Sequence, residues 1–177
     1  MSRQKLIEQL NSYSTVYAVE TLAIPRFLSL LTYPNCFDRS LLFGHVTASA
    51  WITDQSREKV LLMYHAKLKR WLQPGGHADG VEDILAVAAK EMTEETGIVN
   101  YQLAHKSIFD LDIHTIPRRK DVPEHEHYDF RFHFIAVNPS EIVKNNESLE
   151  LRWVPVEDIP QLVENEQSIL RMLKKIS

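Results

Sequence analysis

The sequence predicts an α/β fold built on a mixed sheet, and three observations carry that expectation. Two β-prone apolar runs, "HVTASAWIT" and "KVLLMYH", stand early in the chain. A helix-period stretch ending at Gly97 follows them. Alternating segments, "SIFDLDIHTI" and "PEHEHYDFRFHFIAV", then resume the strand pattern. Strands and helices interleaved in this way pack as layers of helix on a mixed sheet.

The bulk properties agree. The 177 residues suit one domain, or one domain with an appendage, large enough to bury a core without staples. Hydrophobic residues make up 44% and charged residues 25%, which argues against disorder. A net charge of −4 gives no general basic field, so no stable nucleic-acid partner is expected. The single cysteine, Cys36, forms no internal disulfide, and the N-terminus is not of signal type; both favour a cytoplasmic protein. The most apolar early stretch, Val16 to Leu31, contains Glu20, Pro25 and Arg26 and makes a poor membrane span.

Taken in order, "SRQKLIEQLNSY" places Leu6, Ile7, Leu10 and Tyr13 on one helical face. A second helix is expected over Val19 to Leu31, kinked or restarted at Pro25. Residues 1–40 therefore read as a helical N-terminal appendage, and 41–177 as the main domain. "DQSRE" reads as a hairpin turn between the first two strands, and Gly75-Gly76 as a further turn. The helix over about Asp83 to Thr96 ends with Gly97 at its C′ position. "LELRWVPV" reads as a last strand and "NEQSILRMLKKI" as a final amphipathic helix.

The helix before Gly97 carries the chemistry. At about 100° per residue, Glu95 lies about 40° and Glu94 about 60° from Glu91, on opposite sides of it, so three carboxylates share a face. Leu85, Ala89, Met92 and Thr96 cluster on a neighbouring face expected to pack on the sheet, and Ala88 is small enough to leave the acidic face open. Clustered carboxylates either stay hydrated, the usual meaning of such a run, or recruit hard cations such as Mg²⁺ or Mn²⁺.

The spacing decides between these. Gly76, five residues, Glu82, seven residues, then Lys90-Glu91-Met92-Thr93-Glu94-Glu95-Thr96-Gly97-Ile98 resembles the Nudix box, Gly-x5-Glu-x7-Arg-Glu-U-x-Glu-Glu-x-Gly-U, with U a bulky apolar residue. Every defined position matches except the arginine, which is Lys90. A chance match of six Gly and Glu identities with two apolar slots is on the order of one in a million per chain, from average residue frequencies. The flanks "VLLMYHAKLKRWLQPGGH" and "LRWVPVEDI" are similar to Nudix flanks as well.

The resemblance implies a mixed sheet sandwiched between helices. It also implies metal-dependent hydrolysis of a nucleoside diphosphate linked to a moiety X, by attack of a metal-activated water on phosphorus. On that resemblance Glu91, Glu94 and Glu95 are metal ligands, joined by the Gly76 carbonyl. Glu94 or Glu95 also serves as base, and Glu82 supports the metal or its water shell. Lys90 takes the arginine's place; it pairs with Glu94 at i,i+4 but lacks the bidentate fork. A further glutamate from a later loop would be Glu147 or Glu150.

Downstream markers of familiar Nudix subfamilies are missing, so X stays open. His77, following the glycine pair, is a candidate for a phosphate, a metal or a turn hydrogen bond. Trp71 packs at the rim or stacks a base, and His45 and His65 read as structural or exposed. In "PEHEHYDFRFHFIAV", Tyr128, Phe130, Phe132 and Phe134 form a core face. The opposite face offers His127, Asp129 and Arg131 as substrate readers, against a solvent-facing edge as the bland reading. A second metal at His125 and His127 is a further option. The pair fits neither a HIT-type hydrolase nor a cupin, whose remaining ligands are missing. The competing class is a Nudix-fold binding or regulatory module without catalysis; such a module is expected to lose box glutamates, and all four are kept. The expected partner is a small nucleotide-type substrate. The N-terminal helices pack on the sheet, cap the pocket or form a homodimer contact.

Overall fold

The structure, a computed structural model, describes residues 1–119, 122–140 and 142–176. Helices α1 (Arg3–Ser12) and α2 (Ala18–Leu30) come first. Strands β1 (Gly44–Thr53), β2 (Lys59–His65), β3 (Trp71–Leu72) and β4 (Gly75–His77) follow, then helix α3 (Ile84–Thr96). The chain continues through β5 (Tyr101–Leu103), β6 (Asp110–Ile116), β7 (His125–Ala136), β8 (Ser148–Pro155), α4 (Ile159–Leu162) and α5 (Gln167–Ile176).

Among the described residues the strands hydrogen-bond in the order β3-β2-β1-β7-β5, with β4 on β1, β6 on β7 and β8 on β2. The β2–β8, β5–β7 and β6–β7 pairs are antiparallel. Contacts between β1 and β7 advance in the same direction along both strands. The Phe43 carbonyl accepts from the Glu126 N–H, Thr47 meets Asp129, and Thr53 meets His133. That pair is therefore parallel and the sheet is mixed, as the sequence predicts. All ten residues of β1 are buried, which suits its near-continuous run of small and apolar side chains.

Two compact units divide the chain, and β1, β4, α3 and β7 each contribute residues to both. Unit 1 holds Met1–Ala48, Gly76–Ala88 and Ser107–Phe132. In it the apolar faces of α1 and α2 bury Leu6, Leu10, Ala23, Phe27 and Leu30. Phe27 sits edge-on to Tyr128 and Phe130, with ring centroids at 5.4 and 4.6 Å. Pro25 stays inside α2. Glu20, fully buried, accepts hydrogen bonds from Tyr13 Oη (2.7 Å), Thr15 Oγ1 and the Leu111 N–H (3.1 Å), tying both helices to β6. Gly44 admits no side chain: a Cβ there would lie 2.9 Å from both the Glu126 carbonyl oxygen and Tyr128 Cε2.

Unit 2 holds Ser49–Gly75, Ala89–Lys106 and His133–Ser177. Its β1–β2 hairpin turns through Asp54–Glu58, where Arg57 adopts a positive φ and Asp54 accepts the Lys59 N–H. Gly97, at φ +75°, ends α3 as expected; its N–H donates to the Thr93 carbonyl, and Val143 donates to Thr96 at 2.8 Å.

Three expectations need correction. Gly75 and Gly76 are not a turn: they form β4, because the edge of β1 takes up this segment, through the Ala50 N–H to the Pro74 carbonyl and the Ala78 N–H to the Val46 carbonyl. The left-handed turn falls instead at Asp79 and Gly80. The rotation of α3 also differs. Ile84, Val87, Ala88, Met92 and Thr96 are buried, while Leu85 and Ala89 are only half-buried. The stripe is displaced toward the glutamates because Glu95 finds a backbone donor and can go inside with it. Finally, of the two readings of the polar face of β7, the solvent-facing edge fails: His125, Asp129, Arg131 and His133 are all buried. The aromatic face, Tyr128 to Phe134, is core as expected.

Candidate active site

The end of α3 and its surroundings in unit 2 make the acidic site. Glu95 is 4% exposed, and its Oε2 accepts the Gly75 N–H at 2.8 Å. Burial pushes the Glu95 carboxyl up to about 8; the Gly75 donor opposes this, and the Glu91, Glu147 and Glu94 charges add to it. Glu91 keeps 19% of its side chain exposed, and its pKa is raised too, first by burial, against the pull of Lys90. Glu94 is the open member, 55% exposed.

Lys90 binds two of the three. Its Nζ is 2.7 Å from Glu94 Oε2, the i,i+4 pair the sequence predicts, and 3.3 Å from Glu91 Oε1. The hydrogen bond to Glu94 leads in raising the Lys90 pKa. A point-charge ammonium thus sits where the motif has a planar guanidinium, and it reaches both carboxylates without the bidentate geometry.

Of the later glutamates, Glu147 acts on Glu91 and Glu95 by charge. Glu150 is held by Arg152, whose Nε and Nη2 lie 2.7 and 2.5 Å from Glu150 Oε1. The same Arg152 lies over Trp71, 4.9 Å from its ring centroid, and Tyr64 packs on Trp71 at 5.5 Å. Trp71 is half-buried in this stack at the β2–β3 edge.

Gly76, Glu82 and the remaining candidates lie in unit 1. Glu82 is exposed and paired with Arg3 of α1, Nη2 to Oε1 at 3.0 Å. Arg131 is buried among three aspartates: Nε to Asp129 at 2.8 Å, Nη1 to Asp110 at 3.2 Å and Nη2 to Asp112 at 3.1 Å. Burial disfavours its charge, but the aspartates outweigh that and raise its pKa. Thr47 donates to Asp129 at 3.1 Å. The guanidinium and Asp129 are therefore matched within the protein.

Histidines line the same face. His77 and His127 meet Nε2 to Nε2 at 3.2 Å. The His45 ring lies 5.1 Å from both and stacks on His125 at 5.0 Å. His114 lies 5.3 Å from His127, with its Nδ1 on Asp112 at 3.1 Å. Burial is the first cause that lowers the His77 pKa to about 4 and the His127 pKa to about 2. It also lowers that of His45. His45 and His114 escaped the sequence reading as site residues, since neither carries a local motif; only their strands' pairing puts them here.

Comparisons with known proteins follow the same lines. The NUDIX domain family matches residues 44–175. The chain is 26% identical over 126 residues to the CMP-5'-(N-acetyl-N-hydroxy-3-aminopropyl)phosphonate hydrolase of Streptomyces rubellomurinus; the match covers 69% of this chain and 57% of that one. The chain thus spans less than three-fifths of that relative's length. Among solved structures, the MutT protein from Methanosarcina mazei is similar with a TM-score of 0.60 and 18% identity, over 76% of this chain and 94% of that one. A NUDIX-family hydrolase from Clostridium perfringens is similar with a TM-score of 0.55 and 27% identity, over 75% and 98%. No helix among the described residues is long and apolar enough to cross a membrane.

Proposed function

Because the chain belongs to the Nudix family, we propose that it is a divalent-metal-dependent hydrolase cleaving the diphosphate bridge of a nucleoside diphosphate linked to a further group. The observation that carries this reading is the carboxylate cluster at the end of α3. Three hard oxygen donors stand on a rigid helix, and two of them have raised pKa values, so the site favours an incoming cation over three free charges. That donor set fits Mg²⁺ or Mn²⁺ rather than a softer ion. When bound, the ion would offset phosphate charge and activate water for attack on phosphorus.

The chain's own residues set the geometry. The Gly75 N–H fixes the rotation of the Glu95 carboxyl, and Lys90 holds Glu94 beside Glu91. Either Glu94 or Glu95 takes the proton of the attacking water. Glu147 is the fourth carboxylate in this proposal, preferred to Glu150, whose charge Arg152 already holds. The Gly76 carbonyl and Glu82 keep the supporting roles the motif implies. Trp71 is the proposed substrate contact within unit 2, and within unit 1 Asp129 and Arg131 act at one remove by stiffening the β6–β7 pair that carries His127. Residues 1–40 are an N-terminal addition in sequence to the 41–177 hydrolase domain.

The test is a metal-dependent hydrolysis screen over nucleoside diphosphate sugars, dinucleotides, oxidised nucleotides, nucleoside triphosphates and CMP-linked phosphonates, the last suggested by the Streptomyces relative. Release of a nucleoside monophosphate or of pyrophosphate only with Mg²⁺ or Mn²⁺ supports the proposal. Saturable nucleotide binding with no turnover across the panel would point to a binding module instead.

A further inference from the structure

Unit 1 contains a convergence of imidazoles, His77 and His127 among them, whose arrangement the glutamate chemistry does not explain. One ring nitrogen from each of His45, His77 and His127 lies within 4.8 Å of the other two. The three come from β1, β4 and β7, segments far apart in the chain and brought together by strand pairing.

Proton positions make the cluster unusual. His45 is 4% exposed, and its Nδ1 faces the Leu41 carbonyl at 3.5 Å, which assigns the ring proton to Nδ1. Its Nε2 is then a bare lone pair, buried and without a hydrogen-bond partner among the described residues. A buried acceptor left this way ordinarily lowers stability. His77 and His127 point Nε2 at Nε2, where neutral rings share at most one proton. That leaves at most one proton among three converging nitrogens, with His45 Nε2 unpartnered beside the pair, an arrangement a bound cation would satisfy.

The surroundings of His45 match those of a metal-binding histidine, whose second ring nitrogen is held by a carbonyl or carboxylate. His45 has the Leu41 carbonyl. The adjoining rings are held alike: His125 Nδ1 lies 2.9 Å from the Pro123 carbonyl and His114 Nδ1 3.1 Å from Asp112, itself fixed by Arg131. A tetrahedral centre with Zn–N bonds of about 2.0–2.1 Å has nitrogens about 3.3 Å apart. The His77–His127 separation of 3.2 Å is already at that edge length.

We propose that His45, His77 and His127 form a binding site for a borderline divalent transition ion, Zn²⁺ being the natural occupant, with a fourth position open to water or a ligand oxygen. The site is separate in donor chemistry from the oxygen-rich glutamate cluster. Neutral imidazoles favour Zn²⁺, Co²⁺ or Ni²⁺ and discriminate against Mg²⁺. The inference rests on unit 1 alone and stands whether or not the diphosphate reading holds.

The experiment uses the full chain, stripped with chelator and titrated with Zn²⁺ and Co²⁺ in millimolar Mg²⁺, which occupies hard oxygen sites. The expected result is one tightly held equivalent. Bound Co²⁺ should give the intense visible bands of a tetrahedral centre, and X-ray absorption at the zinc edge should show imidazole scattering. His77→Gln and His127→Gln should each weaken binding by about 100-fold or more, whereas Glu94→Gln should leave it unchanged. No stoichiometric binding by the wild-type chain, or an all-oxygen shell around its zinc, overturns the site. So does wild-type affinity in both histidine variants. Because the wild-type spectra read the donor set directly, the test survives misfolding of any variant.

Discussion

The Gly75 N–H lies 2.8 Å from Glu95 Oε2, a hydrogen bond joining the first residue of β4 to the last turn of the glutamate helix. It accounts for a carboxylate that is 4% exposed yet keeps a partner. It also separates Glu95, fixed by a backbone donor, from Glu94, which is open and held by a lysine. The two should fail differently.

Glu94→Gln and Glu95→Gln should each lower turnover by about 100-fold or more, as expected for groups that hold the ion or accept the proton. Folding should hardly change, because a glutamine at 95 still accepts the Gly75 donor and position 94 is exposed. Steady-state kinetics beside thermal melts check this; full activity in both variants would remove the metal assignment.

Lys90→Arg should retain or raise activity, since a guanidinium can hold Glu94 and Glu91 at once with fixed geometry. Lys90→Ala should lower it and weaken the metal dependence. A large loss in the arginine variant would mean that the lysine has a role of its own.

Glu147→Gln should lower kcat, and Glu150→Gln should leave it nearly unchanged. The first carries charge that reaches Glu91 and Glu95; the second is paired with Arg152. Equal effects, read as kcat against Mg²⁺ concentration, would contradict this division.

Arg131→Lys should cost stability more than substrate affinity. A lysine cannot serve three aspartates from one plane, and disrupting such a buried pair typically costs about 3–5 kcal/mol when one partner is removed outright. Urea denaturation should report a loss toward that size, with KM little changed. A KM effect without a stability effect would place Arg131 on the substrate.

His133 is buried against Thr53 Oγ1 at 3.0 Å, and burial lowers its pKa to about 4 from the ordinary 6.5. Between those values the unfolded chain binds more protons, so stability rises with pH through that window. Its contribution is fully present above about 6.5 and falls as pH drops toward 4, by at most about 3 kcal/mol. His77 adds in the same direction. Denaturation midpoints near neutral pH and near about pH 5 should show the decline, and His133→Leu should flatten it.

Much of this molecule was legible without coordinates. Glu91, Glu94 and Glu95 share a face because helical geometry is local, so spacing alone groups them. Gly97 stops the helix by a backbone conformation that glycine adopts freely. The alternation of Tyr128, Phe130, Phe132 and Phe134 marks a core face for the same kind of reason. Burial and convergence are not local. Gly75-Gly76 carried a turn signal, but the free edge of β1 drew the pair into a strand. The polar face of β7 reads in sequence as either a substrate-reading face or a wet edge; β6 supplies aspartates to Arg131 and β1 a hydroxyl to Asp129, which excludes the edge. His45, His77 and His127 meet because β1 runs parallel to β7 and β4 folds back along β1. The sequence by itself determined the glutamate helix and its family. Only the tertiary structure decided which polar groups go inside and which histidines touch, because those depend on pairing between strands tens of residues apart.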